Sequence, residues 1–223
     1  MRERPILFGG QMVRAILDGS KTQTRRVVKP LPHAEASLAP HISGTSVYGR
    51  EARFRMPDGR EREEDDGMGW RRCPYGEPGD RLWVRETWAA SPLHDERKPS
   101  EIGHRCKDLL WYQANEQSDL RGRWRPSIHM PRWASRITLE VTDVRVELVQ
   151  EISEEDARAE GIRQLVGGHV WKQEPVPGDP RDWWLDATGA FHDLWDSING
   201  KRPDCSWADN PWVWAISFSR CEP

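Results

Sequence analysis

The most unusual short segment of the chain is residues 18–26, which read DGSKTQTRR. It brings a lysine (Lys21), a threonine (Thr24) and two arginines (Arg25 and Arg26) together directly after a glycine. A loop of this composition presents an amine, a hydroxyl and two guanidinium groups close together. Amide hydrolysis requires a nucleophile, a base to deprotonate it and an acid for the leaving nitrogen. These residue types are ones that such a reaction could use.

Lys21 is the candidate base, although an amine acts as a base near neutral pH only when its pKa is lowered. Burial or a nearby cation lowers the pKa of an amine, and Arg25 and Arg26 are close enough in sequence to contribute. Thr24 is the candidate nucleophile, or the group that orients an attacking water. The alternative for both residues is a polar loop after a helix, in which the lysine is solvated and the threonine binds backbone.

Two glutamates could complete this set. Glu160 lies at the end of a predicted helix, where a carboxylate opposes the helix dipole by about 0.3 to 1 kcal/mol. It could protonate the leaving amine or hold Lys21 in place. Glu86 lies between hydrophobic neighbours on a predicted strand, and it is either a substrate contact or the competing catalytic carboxylate.

Hydrophobic periodicity indicates the elements that must position these residues. Helices are predicted at 11–18, 152–161 and 184–199, a loop running into a strand at 20–29, and strands at 81–88, 137–148 and 212–218. Gly19 and Gly161 should end the first two helices, and Ser153 should cap the second together with Asp156. The alternation slips at Thr142, which predicts a bulge. Strands interrupted by short helices favour an α+β barrel over a doubly wound sheet.

A length of 223 residues predicts one domain over 1–223, with irregular insertions at about 30–76, 91–132 and 163–183. The first insertion carries the mixed-charge run at 59–67, and we expect part of it to be mobile. The chain has no apolar run long enough to cross a bilayer and no signal peptide pattern, so a cytoplasmic protein without membrane partners is expected.

The four cysteines are far apart and predict free thiols. A zinc site drawing on His104 and Cys106 lacks the usual ligand spacing. The net charge of −3 excludes a polycation that coats nucleic acid non-specifically, so any nucleic-acid contact must come from a local patch.

Residues 121–136 (RGRWRPSIHMPRWASR) supply such a patch. Candidate nucleic-acid contacts in it are Arg123, Trp124, Arg125 and Arg132. Arginines that bind phosphate, interleaved with indoles that stack on bases, are typical of a groove for single-stranded RNA or DNA. The alternative is that the indoles belong to the core and the arginines cover them through cation–π contacts. We expect Trp83, Trp88, Trp212 and Trp214 to be core residues, with Trp88 also a candidate substrate contact.

Four segments together resemble the ASCH domains of the PUA-like β-barrel superfamily, and more narrowly their prophage-type members. They are ILDGSKTQTRR at 16–26, GDRLWVRETW at 79–88, ISEEDARAEGI at 152–162 and NPWVWAISF at 210–218, which with their flanks cover about half of the chain. The resemblance implies a PUA-like barrel with short helices.

Small bacterial ASCH proteins include amidohydrolases that remove the acetyl group from N(4)-acetylcytidine with a lysine, a threonine and a glutamate. Their GxKTxT loop falls on Gly19, Lys21, Thr22 and Thr24, their catalytic glutamate on Glu160, and the arginine of the loop on Arg26. The resemblance thus implies a metal-independent, cofactor-free amidohydrolase acting on an acylated pyrimidine nucleoside or base, with Arg26 near the substrate. Arg25, Glu86 and Trp88 are further candidate substrate contacts.

Two other functions stay open at this level. The first is a non-catalytic RNA-binding module, as the wider superfamily provides, and the second is a ribonuclease. Neither the acyl group nor the oligomeric state follows from the sequence.

Overall fold

The computed structural model describes residues 1–29, 37–38, 51–55, 70–104, 109–115, 120–164, 170–171 and 183–221. In these ranges the chain is an α+β fold made mostly of strands, as predicted. The helices are α1 (Gly10–Leu17), α2 (Glu154–Ala159) and α3 (Ala187–Asn199). The strands are β1 (Glu3–Leu7), β2 (Gln23–Val27), β3 (Ser37–Leu38), β4 (Glu51–Arg55), β5 (Trp70–Arg72), β6 (Arg81–Arg85), β7 (Trp88–Ala90), β8 (Leu110–Tyr112), β9 (Thr138–Leu148), β10 (Arg163–Gln164), β11 (Val170–Trp171), β12 (Trp183–Trp184) and β13 (Trp212–Arg220).

Five strands form the main sheet, in the order β1-β6-β9-β13-β2. β1 runs parallel to β6, and the other neighbouring pairs are antiparallel. A side-chain hydrogen bond links the two outer strands, because Arg26 Nη2 on β2 donates at 2.7 Å to the Leu7 carbonyl at the end of β1. β2 carries the candidate residues Thr24, Arg25 and Arg26 and pairs with β13.

The predicted bulge is confirmed. Ser217 of β13 pairs with Asp143, and the next residue, Phe218, pairs with Val141, so Thr142 is the extra residue on β9. A bulge of this kind lets both halves of β9 keep their apolar side chains on one face of the sheet. Leu139, Val141, Val144 and Val146 are accordingly all buried.

One face of the sheet packs against α1 to form the main core. This core contains Ile6, Val13, Ile16, Leu82, Val84, Trp214, Ile216 and Phe218, with Met12 and Leu17 packed at its edge. The apolar face of α1 and the alternate apolar residues of β6 and β13 thus point into this core. Gly19 follows the C-cap of α1 with φ +81 and turns the chain away from the helix, because the left-handed conformation costs glycine little.

The other face of the sheet carries α2 and α3. Their cluster is formed by Ile152, Ala157, Ile162, Phe191, Trp195 and Val213. α3 begins at Ala187, later than predicted, because Asp186 caps it and Trp184 lies in β12. Trp184 packs against Gly189, where a Cβ would meet its ring at 2.5 Å. Close packing therefore explains a glycine inside this helix.

The insertions contain more regular structure than the sequence predicted. β3, β4 and β5 form a small sheet inside 30–76, β8 inside 91–132 pairs with β7 just before that insertion, and β10, β11 and β12 form a third small sheet. Strands this short leave no periodicity to detect, which is why the expectation of irregular chain was wrong there. The charged run at 59–67 and the mobility expected of it lie outside the described residues.

Three cysteines, Cys73, Cys205 and Cys221, are free thiols as predicted, and Cys106 lies outside the described residues. None of the helices in the described ranges is both long enough and apolar enough to cross a membrane.

Candidate active site

The first contact of the site joins Lys21 to Glu160. Lys21 Nζ lies 2.5 Å from Glu160 Oε2 and 2.8 Å from the Glu160 carbonyl oxygen. Lys21 is 2% exposed and Glu160 is 3% exposed. The sequence separation of these two residues is 139 positions, so the fold itself creates the pair.

Local backbone structure explains why the two residues meet. Glu160 is the C-cap of α2, and Gly161, with φ +95, turns the chain away directly after it. Lys21 forms an antiparallel bridge with Glu160, and the Thr22 amide donates to the Ala159 carbonyl at 2.8 Å. The Lys21 ammonium thus caps a helix carbonyl that has no partner within the helix. It also offsets the unfavourable position of the Glu160 charge against the helix dipole.

The start of α2 is fixed as predicted, with one difference. Ser153 Oγ accepts a hydrogen bond of 3.1 Å from the Asp156 amide. The Asp156 side chain, however, binds Gln23, Arg25 and Arg145. The predicted capping box is therefore only half formed, because three donors on β2 and β9 attract the Asp156 carboxylate.

Burial lowers the pKa of Lys21 below its ordinary value of 10.5. The charge of Glu160 and its hydrogen bond act in the opposite direction, and the charges of Arg26 and Arg25 lower the pKa further. The direction is the one that a base requires, and both causes named from the sequence, burial and neighbouring arginines, operate. The net effect of these opposing causes is a lowered pKa.

Arg25 supports the carboxylate of Glu160 from the other side. Arg25 Nη1 lies 3.4 Å from Glu160 Oε1, while Lys21 binds the other carboxylate oxygen. The remaining Arg25 nitrogens bind Glu147 at 2.8 Å and Asp156 at 2.9 Å, and Nη1 also binds Gln23. Since every guanidinium nitrogen binds the protein, Arg25 orients Glu160 and has little capacity left for the substrate contact that the sequence predicted.

A cavity of about 420 Å³ opens beside this pair. Thr24 and Glu160 both line it, together with Arg25 and Arg26 of β2. Lys21 is not among the lining residues, so its amine lies behind Glu160. A molecule in the cavity would therefore contact Thr24 and Glu160, and Lys21 would act on it only through Glu160.

The opposite wall of the cavity comes from parts of the chain that sequence reasoning did not assign to the site. It is formed by Pro74, Tyr75, Phe191, Leu194, Trp195, Ile198, Asn199 and Arg202. The helical apolar face of α3 had been predicted, and the 42% exposure of Ile198 marks the part of that face that borders the cavity. An incompletely covered apolar face was the available signal, but a sequence does not reveal which part of such a face stays uncovered.

Arg26, predicted near the substrate, lies in the wall between two spaces. It lines the 420 Å³ cavity and also a neighbouring cavity of about 480 Å³, which Phe8, Gly9 and Thr87 border. Its guanidinium covers the Phe8 ring at 5.1 Å. The position of Arg26 agrees with a role at the site.

Glu86 and Trp88 lie elsewhere, and neither is among the residues lining the two cavities. Glu86 is 1% exposed and forms a bidentate pair with Arg136, at 2.8 and 3.0 Å. Burial raises the pKa of Glu86, and Arg136 acts against this. Trp88 is fully buried in a third cluster with Ile102 and Met130. The structure thus separates both residues from Lys21 and Thr24, because β6 and β7 direct them into closed packing.

The arginine and tryptophan segment folds largely onto itself and its surroundings. Arg121 covers Trp124 at 4.4 Å, and Arg125 covers Trp88 at 5.6 Å. Arg132 forms a two-bond pair with Glu3. Of the four candidate nucleic-acid contacts, Arg123 is the one whose side chain is exposed without an ion pair among the described residues. The cation–π alternative therefore describes most of this segment.

Trp83 corrects one core prediction. It is half-buried on the outer face of β6, where Arg85 and Arg132 cover its ring at 4.9 and 5.9 Å. Trp88 and Trp214 are buried core residues, as predicted, and Trp212 packs against the main core.

The chain matches no protein-family model, and searches against curated proteins and against solved structures also gave no match. Because no relative assigns a reaction to this site, its chemistry is inferred from its geometry. Thr24 and Glu160 line one cavity, and the buried amine of Lys21, with its lowered pKa, lies behind Glu160. A hydroxyl, a carboxylate and an amine are groups that amide cleavage can use.

Proposed function

We propose that the chain is an ASCH-type amidohydrolase of the PUA-like superfamily that removes an acyl group from the exocyclic amine of a modified pyrimidine nucleoside or base. The observation that carries this proposal is the buried Lys21–Glu160 contact of 2.5 Å beside a cavity that Thr24 lines. The contact between Arg26 and the Leu7 carbonyl supports a closed PUA-like barrel, because closure brings β1 and β2 together. A nucleoside substrate also implies a cytoplasmic site of action.

The reaction begins with attack of the Thr24 hydroxyl on the acyl carbon. The Oγ–carbon bond forms, and the hydroxyl proton passes to the Lys21–Glu160 pair. Glu160 lines the cavity and therefore hands the proton to the leaving nitrogen as the carbon–nitrogen bond breaks. Water then cleaves the acyl ester of Thr24, the same pair takes the proton from the water, and the hydroxyl is restored. The net reaction is one water and one amide giving one acid and one amine.

Binding of single-stranded RNA without catalysis has less support. The residues that suggested such a groove, Arg125 and Arg132, bind Glu3, Asp95 and the His94 carbonyl. Breaking these contacts would be needed before phosphates could bind there. The site at Lys21 is the better supported of the two.

The test is a panel of acylated nucleosides, headed by N(4)-acetylcytidine, incubated with purified protein and analysed by mass spectrometry. Release of free cytidine by the wild type, and its loss in Thr24→Val, is the expected result. Val replaces the hydroxyl with a methyl group of similar size and keeps the strand. Equal release of cytidine by Thr24→Val would show that Thr24 is not the nucleophile. No release from any acylated base would refute the proposed function.

A further inference from the structure

Three cations line the cavity beside Thr24 without forming an ion pair with a carboxylate among the described residues: Arg26, Lys29 and Arg202. The hydrogen bonds of the two arginines go to neutral acceptors. Arg26 donates to the Leu7 carbonyl at 2.7 Å, and Arg202 donates to Asn199 Oδ1 at 3.3 Å. A cleft lined by charges of one sign attracts counter-ions, so these three cations around one space favour an anionic ligand.

The acidic group that lines the cavity does not balance them. Glu160 is the carboxylate among the lining residues, and Lys21 and Arg25 already bind its two oxygens. Glu147 and Asp156 are in turn engaged by Arg25 and Arg145. The electrostatic potential in the cavity is therefore positive, and an anion that enters it finds donors with unused charge.

Arg26 and Arg202 are also close enough to repel each other. Burial lowers the pKa of Arg26, and the charge of Arg202 lowers it further, whereas Tyr75 and Glu160 raise it. Two guanidinium groups that face a common space without an anion between them are an unfavourable arrangement, which a bound anion relieves. Guanidinium groups bind phosphate oxygens in bidentate geometry, which makes phosphate the best matched anion.

Lys29, the third cation, lies far from Thr24, where the acyl group would be cleaved. Lys29 follows Thr24 by five residues along β2 and its extension, which corresponds to roughly 16 Å between their Cα atoms at the rise of a β-strand. This span exceeds the width of a pyrimidine ring. The lysine therefore belongs to the part of the cavity where the sugar and its substituents would lie when the acylated base is at Thr24.

We propose that Arg26, Lys29 and Arg202 form a phosphate subsite, so that the substrate is a phosphorylated acyl-cytidine rather than the free nucleoside or base. This inference rests on the proposed function for the position of the base. The phosphate can belong to a mononucleotide or to an oligonucleotide, and the chemistry of recognition is the same for both.

The test compares kcat/KM for N(4)-acetylcytidine with kcat/KM for its 5′-monophosphate. The wild type should prefer the phosphorylated form by about tenfold or more, the size expected of a charge-assisted hydrogen bond. In the Lys29→Gln and Arg202→Gln double variant this preference should fall to near unity. Both residues are exposed, so the variant should fold. Arg97→Gln, which removes an exposed positive charge outside the cavity, is the matched control and should keep the preference.

A short RNA with one internal N(4)-acetylcytidine distinguishes the two sources of phosphate. Faster cleavage of the RNA than of the monophosphate assigns the subsite to a phosphodiester, and faster cleavage of the monophosphate assigns it to a mononucleotide. Equal kcat/KM for nucleoside, monophosphate and RNA overturns the inference and leaves the hydrolytic function intact.

Calorimetry with cytidine and cytidine 5′-monophosphate separates the subsite from catalysis, because it requires no reaction. Tighter binding of the monophosphate that is lost in the double variant supports the subsite, even if no acyl amide is cleaved. Equal binding of both ligands to the wild type refutes it.

Discussion

Among the described residues, two buried glutamates, Glu86 and Glu160, pair with basic side chains, and Glu160 is the one that lines the cavity of about 420 Å³. Glu86 binds Arg136 through two parallel bonds inside closed packing between β6, β7 and the segment after it. Glu160 shares its oxygens between Lys21 and Arg25 and faces a space of about 420 Å³ that Thr24 also lines. A buried ion pair is thus no sign of a site by itself. The distinguishing features are a hydroxyl, an open space and an amine whose pKa is lowered.

The largest expected effect separates these glutamates by activity. Glu160→Gln should lower kcat/KM on N(4)-acetylcytidine by about 10²- to 10⁴-fold, the usual contribution of general acid–base catalysis. Glu86→Gln should keep the wild-type value per folded molecule, since Glu86 borders neither cavity. Steady-state kinetics with the folded fraction measured by circular dichroism checks both. The reverse ranking would assign the catalytic role to Glu86.

Stability is the second way to compare the pairs. Removing one partner of a buried ion pair typically costs about 3 to 5 kcal/mol. For Glu86→Ala we expect a loss of stability near the lower end of this range, because the Arg136 side chain is 24% exposed and can reach water. Lys21→Met should lie near the upper end, because it leaves Glu160 with a side-chain exposure of 4% and only Arg25 as a cation. Urea unfolding measures both, and equal midpoints would show that exposure does not decide the cost.

A smaller effect is expected on the pKa of Lys21 when the Glu160 charge is removed. A base acts in its deprotonated form, so kcat/KM should rise with pH and level off at a pH below 10.5, the ordinary value for lysine. The charge of Glu160 raises the pKa of Lys21, and its removal in Glu160→Gln should lower that pKa further. NMR of the Lys21 side-chain carbon next to Nζ, recorded against pH in both proteins, tests the sign. A higher midpoint in the variant would contradict it.

The local features that position Lys21 and Glu160 could be predicted from the sequence. The loop at 18–26, the caps Gly19, Ser153 and Gly161, and the bulge at Thr142 each follow from short-range chemistry. Local patterns of this kind need only a few neighbouring residues. They suffice to predict that Lys21 leaves a helix end and that Glu160 closes another.

The network around Arg25 could not be predicted in this way. Ala215 of β13 pairs with Arg25 on one side and with Arg145 on the other. Its small side chain lets the arginine and carboxylate side chains of β2 and β9 meet across the middle strand. Such a meeting depends on the register of three strands that are far apart in sequence, and a single sequence does not specify that register.

The smallest expected effect concerns the cap that positions Glu160. Ser153→Ala should cost about 1 kcal/mol of stability, as the loss of an N-cap usually does. Because α2 holds Glu160 at its other end, we also expect a drop of a few-fold in kcat/KM. Asp186→Ala removes the corresponding cap of α3, whose side chain accepts from the Gly189 amide at 2.6 Å. This control should lose comparable stability with less change in kcat/KM; an equal drop in both variants would attribute the effect to general loosening.

The most direct test of a catalytic Lys21–Glu160 pair is a double-mutant cycle on kcat/KM for N(4)-acetylcytidine, with Lys21→Met, Glu160→Gln and both changes together. Residues that act as one unit lose their effect together. We therefore predict that each single change lowers kcat/KM strongly and that the double variant is no slower than the slower single one. Near wild-type rates in either single variant, or losses that multiply in the double variant, would show that the two groups do not act as a unit.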